Sequence, residues 1–396
     1  MNGRARADGV PDGRGVGIRR QVADLPDRKP QIESLKVGRM LGLRVGEVVE
    51  VRSAEEILAT LDEQGRLDSL PFMPEMLQFC GKRFTVYKRA DKTCDTIDRS
   101  GGRRLHNTVH LGIGRRADGV RCDGASHGGC EASCLLFWNE AWLKRVEPKD
   151  PPSSDAQVSP VQLTRIETML GRSATRTDRN ANGARIYSCQ ATQLKAYTSP
   201  LAWWDVRQYV RDYQSGNVRA AELFRALVFA SYRRLVRFGL GYRILLTLYN
   251  RFQARSGGTP WPYVQGSLKA TPHAELNLEP GELVRVKQLQ EILATLDTRN
   301  KNRGLLFAPE MVRYCGGTFR VLKRVYRIVD ERTGALLEFS NPCIILQNVY
   351  CQSEYSEGRV FCPRSIYPYW REIWLERAGP QVPVPTLSSA KGMVQQ

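Results

Sequence analysis

Apolar and polar positions alternate in two short stretches that read alike, Gly46-Glu-Val-Val-Glu-Val51 and Gly281-Glu-Leu-Val-Arg-Val286. Alternation of this kind predicts half-buried strands. Ser53-x-x-Glu56 follows the first as a capping box and predicts a short helix through Leu61; the second stretch has Gln288 in place of the serine, so a weaker cap is expected there. Pro74-Glu-Met-x-x-Phe-Cys-Gly81 and Pro309-Glu-Met-x-x-Tyr-Cys-Gly316 each predict a further short helix, opened by proline and closed by glycine. Phe84/Val86 and Phe319/Val321 then alternate as strands, and Arg327–Phe339 predicts a hairpin turning at Asp330–Gly334. Between these regions the rhythm changes. Val161–Leu170, Ala202–Tyr213 and Val218–Arg255 carry helical spacing, the last broken near Gly239 and Gly241 and punctuated by Arg225, Arg233, Arg234 and Arg237.

The two β-rich regions are copies. Gly46–Arg89 aligns with Gly281–Arg324 at a constant offset of 235, with 22 identities over 44 positions and no gap. The match resumes at offset 232, where Cys130, Trp138, Glu140 and Trp142 meet Cys362, Trp370, Glu372 and Trp374. The expected fold class is therefore α+β: two copies of a small β-rich, SH3-like module flanking a basic, mainly helical segment. The boundaries read as a disordered tail over 1–34, module one over 35–147 and a Pro/Ser/Asp linker over 148–160. The basic segment then covers 161–270, module two 271–378, and a second tail 379–396.

Charge singles out the middle. The chain carries a formal +18, and residues 155–270 hold 17 Arg and Lys against 6 Asp and Glu, which is +11 of that total. Such a local excess points to an anionic partner, a membrane surface or acidic polymer, with nucleic acid as a further possibility. Arg225, Arg233, Arg234 and Arg237 are the expected contacts; arginines on an ordinary helical core, simply facing water, are the plain alternative. No run of about eighteen apolar residues is present to span a membrane. The first thirty residues lack the apolar stretch of an export signal. A cytoplasmic protein, open to peripheral membrane association, is the expectation, and its ten cysteines then read as thiols or metal ligands rather than disulfides.

Three of the four histidines, His106, His110 and His127, fall in a stretch that also holds Cys94, Cys122, Cys130 and Cys134. Thiolate and imidazole are ligands of zinc, and thiolates hold iron–sulfur clusters. The loop Cys122-x7-Cys130-x3-Cys134 is rich in glycine, which lets a chain fold back around one ion. His110, Cys122, Cys130 and Cys134 are the expected ligands in module one, with Zn2+ as the metal and an Fe–S cluster as the alternative. Module two offers Cys343, Cys351 and Cys362, with Ile366 standing where the first copy has Cys134. A three-ligand site could stay open for chemistry, have decayed, or be three buried thiols. Cys80 and Cys315, each at the end of a short helix, read as core. Glu75 and Glu310 read as helix-start charges and Cys189 as packing.

No phosphate-binding loop, nucleophile elbow or H-E-x-x-H motif is present. The combination of Pro-Glu-Met-x-x-Tyr-Cys-Gly-Gly, Phe-Cys-Pro-Arg and Tyr-Trp-Arg-Glu-Ile-Trp-Leu-Glu-Arg resembles a family of uncharacterised bacterial proteins associated with gene clusters for polysaccharide or secondary-metabolite synthesis. That resemblance implies a biosynthetic setting and transfers no catalytic residue. The function expected is a metal-binding accessory protein acting at an anionic surface. A metalloenzyme or metal-dependent maturation factor using the module-two cysteines is the first alternative, and a nucleic-acid binder the second.

Overall fold

The computed structural model describes residues 41–379, apart from 114–118, 147–169, 172–173, 180–182, 184, 238–241, 257–260, 262–263 and 356–357. The tail expected over 1–34, all but the first residue of the tail expected over 379–396, the linker 148–160, and all but the last residue of the helix expected at Val161–Leu170 lie outside the described residues. The fold is α+β, built on small antiparallel sheets with short helices between them.

In the N-terminal region the strands are β1 (Val48–Val51), β2 (Arg66–Leu67), β3 (Leu70–Pro71), β4 (Arg83–Arg89), β5 (Lys92–Cys94), β6 (Gly102–Arg104), β7 (Thr108–Gly112), β8 (Trp138–Asn139) and β9 (Leu143–Arg145). Five of them make an antiparallel sheet in the order β8-β7-β4-β1-β9. The expected capping box forms: the Glu56 amide donates to Ser53 Oγ at 3.2 Å and the Ser53 amide to Glu56 Oε2 at 3.0 Å. This starts the helix Ala54–Leu58. The Pro74–Phe79 and Pro309–Tyr314 segments are 3-10 rather than α-helical. Six residues between a proline and a glycine leave too few i→i+4 bonds to favour the wider turn.

The middle segment adds β10 (Thr175–Arg179), β11 (Arg185–Tyr187) and β12 (Ser199–Leu201), then helices Arg207–Gln214, Ala220–Arg237 and Tyr242–Arg255. The expectation of a mainly helical segment therefore needs correction in its first half. Strand β12 completes a sheet in the order β12-β6-β5, and Gln190 is plugged into the first core. There its amide nitrogen donates to the carbonyls of Pro71 at 3.0 Å and Phe137 at 2.9 Å. These partners are remote in sequence, so local periodicity could not announce them. The break expected near Gly239 and Gly241 lies outside the described residues, which resume with the helix Tyr242–Arg255.

The C-terminal region contains β13 (Leu283–Val286), β14 (Lys301–Asn302), β15 (Leu305–Leu306), β16 (Thr318–Val329), β17 (Leu336–Leu346) and β18 (Leu375–Arg377). Its main sheet runs β17-β16-β13-β18. The registers repeat those of the first sheet: Val49 faces Phe84 and Arg145, and Val284 faces Phe319 and Arg377. The cores repeat as well. Phe72 meets Trp138 and Trp142 edge-on, and Phe307 meets Trp370 and Trp374 in the same way. Trp142 Nε1 donates to Thr60 Oγ1 at 3.1 Å, and Trp374 Nε1 to Thr295 Oγ1 at 2.9 Å.

The repeated glutamates beside the tryptophans are structural. Glu140 accepts from the Leu43 amide at 3.0 Å and from Arg89 Nη1 at 2.6 Å; Glu372 accepts from the Leu278 amide at 2.9 Å and from Arg324 Nη1 at 2.7 Å. Each ties the entry of its region to the closing turn, with no carboxylate oxygen left over for acid–base work.

The two regions meet where a loop of each reaches a strand of the other. The Glu131 amide donates to Arg327 O at 3.0 Å, and the Val329 amide lies 3.3 Å from Cys130 Sγ. On the other side Lys92 Nζ donates to Val360 O at 2.8 Å. Between these crossings Thr96 hydrogen-bonds Glu331, and the buried Arg364 guanidinium reaches Thr96 Oγ1 at 2.7 Å and Glu331 Oε1 at 2.9 Å.

Candidate functional site

The glycine-rich loop of the N-terminal region folds back on itself. The Cys122 amide donates to the Cys134 carbonyl at 2.9 Å, and the Cys130 amide to the His127 carbonyl at 3.2 Å. Gly124 makes this possible: its φ is +78°, and a Cβ there would lie 1.9 Å from the Cys130 oxygen. Only glycine fits such a turn. Beneath the loop, Glu75 of the 3-10 turn accepts from the Ser126 amide at 2.9 Å and sits 2.7 Å from His127 Nδ1. His127 Nε2 lies 3.1 Å from the Ser188 carbonyl, contributed by the middle segment.

Glu75, Cys122 and His127 each bring one ligand-type atom to within 4.8 Å of the others. Glu75 Oε2 is buried with no hydrogen-bond partner. Burial pushes the Glu75 carboxyl up, but His127 and the backbone amides outweigh it and hold the group below the usual carboxylate range. Burial, with Glu75 nearby, pushes the Cys122 thiol up, so the sulfur keeps its proton unless a cation replaces it. A cavity of about 40 Å³ lies beside the group and is lined by His127 and by the thiols Cys122, Cys130, Cys134 and Cys189.

The expected set was His110, Cys122, Cys130 and Cys134. The structure gathers its three cysteines around this cavity but does not bring them within ligand distance of one ion: among the described residues the group within 4.8 Å is Glu75, Cys122 and His127. His110 stands apart on β7. Its ring packs on Phe137 at 4.6 Å, and Nδ1 lies 2.9 Å from the Leu136 carbonyl. Burial pulls it down to about 3, so it is a neutral core histidine with Nε2 unpartnered. His106 is exposed. Sequence reasoning passed over Glu75 and Cys189. The recurrence of Glu75 as Glu310 was a signal for the first; none existed for Cys189, which arrives from another segment.

The C-terminal loop copies the frame with other side chains. The Cys351 amide donates to Ile366 O at 2.8 Å and the Cys362 amide to Arg359 O at 3.1 Å. Glu310 accepts from the amides of Glu354 at 3.2 Å and Tyr355 at 2.8 Å. Cys343, Cys351 and Cys362 do not form a ligand group among the described residues. Cys343 lies in the apolar cluster of Val325 and Ile345, with Arg371 Nη1 at 3.5 Å. Cys351 Sγ lies 3.6 Å from Ser353 Oγ. Cys362 is buried in the loop whose Val360 carbonyl and Arg364 guanidinium reach Lys92 and Thr96 of the N-terminal region. Cys80 and Cys315 pack against the two cores, and burial pushes their thiols to about 12 and about 11.

Where the two regions and the helical pair meet there is a cavity of about 460 Å³, the size of a small-molecule site. Cys362, Lys88, Arg225 and Arg313 are in its wall together with Glu222 and Glu354. Of the four arginines expected to meet an anionic partner, Arg225 thus lines this cavity, while the side chains of Arg233, Arg234 and Arg237 lie outside the described residues. Among the described residues no helix is long and apolar enough to cross a membrane. The chain matches no protein-family model and no curated protein.

Proposed function

We propose that the chain is a fused pair of SH3-like modules in which the first is stapled by a bound transition metal, zinc by its ligand chemistry, and which serves as a binding protein at an anionic membrane surface. The observation that carries the metal reading is the buried, unpartnered Glu75 Oε2 beside Cys122 and His127. A histidine ligand usually donates its other ring N–H to a carbonyl, and Ser188 supplies one to Nε2. His127 Nδ1 then faces Glu75 and Cys122, where an ion replaces the proton now shared with Glu75 Oε1. A thiol lining the adjoining cavity, Cys130, Cys134 or Cys189, supplies a fourth ligand after a change of rotamer. The SH3-like reading is supported by the strand order and by the 3-10 turns Glu140–Trp142 and Glu372–Trp374, each directly before the last strand of its sheet.

The docking reading rests on a different feature. Trp203, Trp204, Val210, Phe224, Leu227 and Ile244 all stand exposed in the middle segment, which also carries Arg207, 74% exposed and paired with Asp205 at 2.8 Å. Aromatic and aliphatic groups mixed with guanidinium suit a headgroup interface, whereas phosphate contacts to nucleic acid need the charge alone.

Elemental analysis of untagged protein tests the metal. Stoichiometric zinc is expected in the wild type and in Cys351→Ser, and its loss in Cys122→Ser and Glu75→Gln. Equal metal content in Cys122→Ser and the wild type overturns the reading. Flotation tests the docking: binding to vesicles containing phosphatidylglycerol, weakened by Trp204→Ser and by salt, is expected. Retention on nucleic acid with no vesicle binding would favour the third function instead.

A further inference from the structure

The two regions touch through positions that correspond in the duplication. Thr96 and Glu331, a pair at the offset of 235, hydrogen-bond each other. The turns that carry them are alike: Asp95 Oδ1 accepts from the amides of Ile97 and Asp98, and Asp330 Oδ1 from those of Arg332 and Thr333. Ser133 and Ser365, a pair at the offset of 232, turn their carbonyls to the same guanidinium. Arg121 donates through Nη1 to Ser133 O at 2.8 Å and through Nη2 to Ser365 O at 3.1 Å. Both serines hold the same left-handed backbone, with φ of 51° and 42°. Lys92 and Arg327, again at 235, each meet the opposite loop, Lys92 Nζ at Val360 O and Arg327 O at the Glu131 amide. A head-to-tail contact would join unlike positions. Equivalent positions touch where a two-fold axis relates the copies, as at the isologous interface of a homodimer.

We propose that this face is a self-association surface whose partner is a second copy of the chain, the first region of each chain seating on the second region of the other. Every contact across the axis is kept in such an exchanged dimer, so the balance between monomer and dimer is set by chain concentration against the effective concentration of the linked pair. Charge decides which regions pair. The buried Arg364 guanidinium binds both axis residues, Thr96 Oγ1 at 2.7 Å and Glu331 Oε1 at 2.9 Å, and its counterpart at the offset of 232 is Ala132. Two first regions would bring neither the cation nor the carboxylate, and two second regions would set Glu331 against Glu331. The pairing of a first with a second region is therefore the favoured one, within a chain or between chains. The dimer also shares a cavity. Val329, Glu331 and Arg364 are in the wall of the cavity of about 40 Å³ beside Glu75, Cys122 and His127. In the exchanged dimer the second chain supplies that part of the wall.

The experiment mixes full-length wild type with isotopically heavy V329C at up to about 0.5 mM, approaching the millimolar effective concentration of a linked pair. The mixture is held reduced in mild denaturant, returned to buffer, separated by size, oxidised mildly and mapped by peptide mass. A dimer is expected whose share rises several-fold between about 0.05 and 0.5 mM and which persists on dilution. In the dimer, position 329 of heavy chains is expected in a disulfide with Cys130 of light ones; in the monomer, with Cys130 of the same chain. A dimer whose disulfides at position 329 all lie within one chain overturns the proposal, as does monomer at every concentration. If V329C fails to fold or forms no disulfide, wild type decides by size. A dimer that survives dilution and returns to monomer only through denaturant supports the exchange; a dimer that falls apart on dilution, or none at all, overturns it. Zinc content does not enter these readouts, so the metal reading stands or falls separately.

Discussion

The loops 122–134 and 351–366 have one backbone frame and two chemistries. In both, a buried glutamate from a 3-10 turn accepts loop amides, Glu75 from Ser126 and Glu310 from Glu354 and Tyr355. In both, a cysteine amide closes the loop onto a carbonyl twelve or fifteen residues on, Cys122 onto Cys134 and Cys351 onto Ile366. Three exchanges of side chain then separate them. At the offset of 232, His127 corresponds to Arg359 and Cys134 to Ile366; at the offset of 235, Cys94 corresponds to Val329. The first two exchanges keep an imidazole and an extra thiol in the N-terminal loop alone. The third puts a thiol, Cys94, at the position that Val329 holds in the other copy, where the Val329 amide lies 3.3 Å from Cys130 Sγ. A duplicated frame thus fixes where side chains converge, and single substitutions decide what the convergence can do.

The largest expected effect tests whether the two frames are equally built. Trp142→Ala and Trp374→Ala each empty a fully buried ring site and should cost roughly 3–5 kcal/mol. Chemical denaturation of both variants should show similar losses. A loss confined to one variant would break the equivalence of the cores.

Next is an acid response that belongs to the first region alone. His110 faces Lys88 across β4 and β7, and the matching position opposite Lys323 is Ile345. Burial holds His110 at about 3, below the ordinary value of 6.5. The unfolded chain therefore binds the extra proton first as pH falls. Stability from this site is fully present above about pH 6.5 and is lost progressively down to about pH 3, amounting to roughly 3–5 kcal/mol. His110→Ile should flatten unfolding free energy against pH across that window. An unchanged slope would mean that the histidine is not the acid-sensitive group.

The smallest effect sharpens the contrast at the crossings. V329C should place a thiol of the C-terminal region where the Val329 amide now meets Cys130 Sγ, and peptide mapping after mild oxidation should then find an inter-region disulfide at Cys130. Its absence would show that the crossings differ in backbone as well as in side chain.

Sequence alone determined the copies. The copied helix and turn are held by partners a few residues away, Ser53 with Glu56 and a proline opening a turn that glycine closes, and the copied strands are marked by apolar groups alternating with polar ones. It also located the Cys122–Cys134 loop, because three cysteines and several glycines in thirteen residues leave few other readings. It did not identify the group of Glu75, Cys122 and His127, because those contacts are long-range. Glu75 reaches His127 across 52 residues and Lys92 reaches Val360 across 268. His110 looked like a ligand by proximity along the chain, yet it stands on β7, a strand buried along its whole length, and packs in the core beside Phe137. Cys189 and Ser188 entered the site from a segment read as separate. Local energetics chose the elements; only the packing of the two regions against each other and against the middle segment chose which functional groups meet.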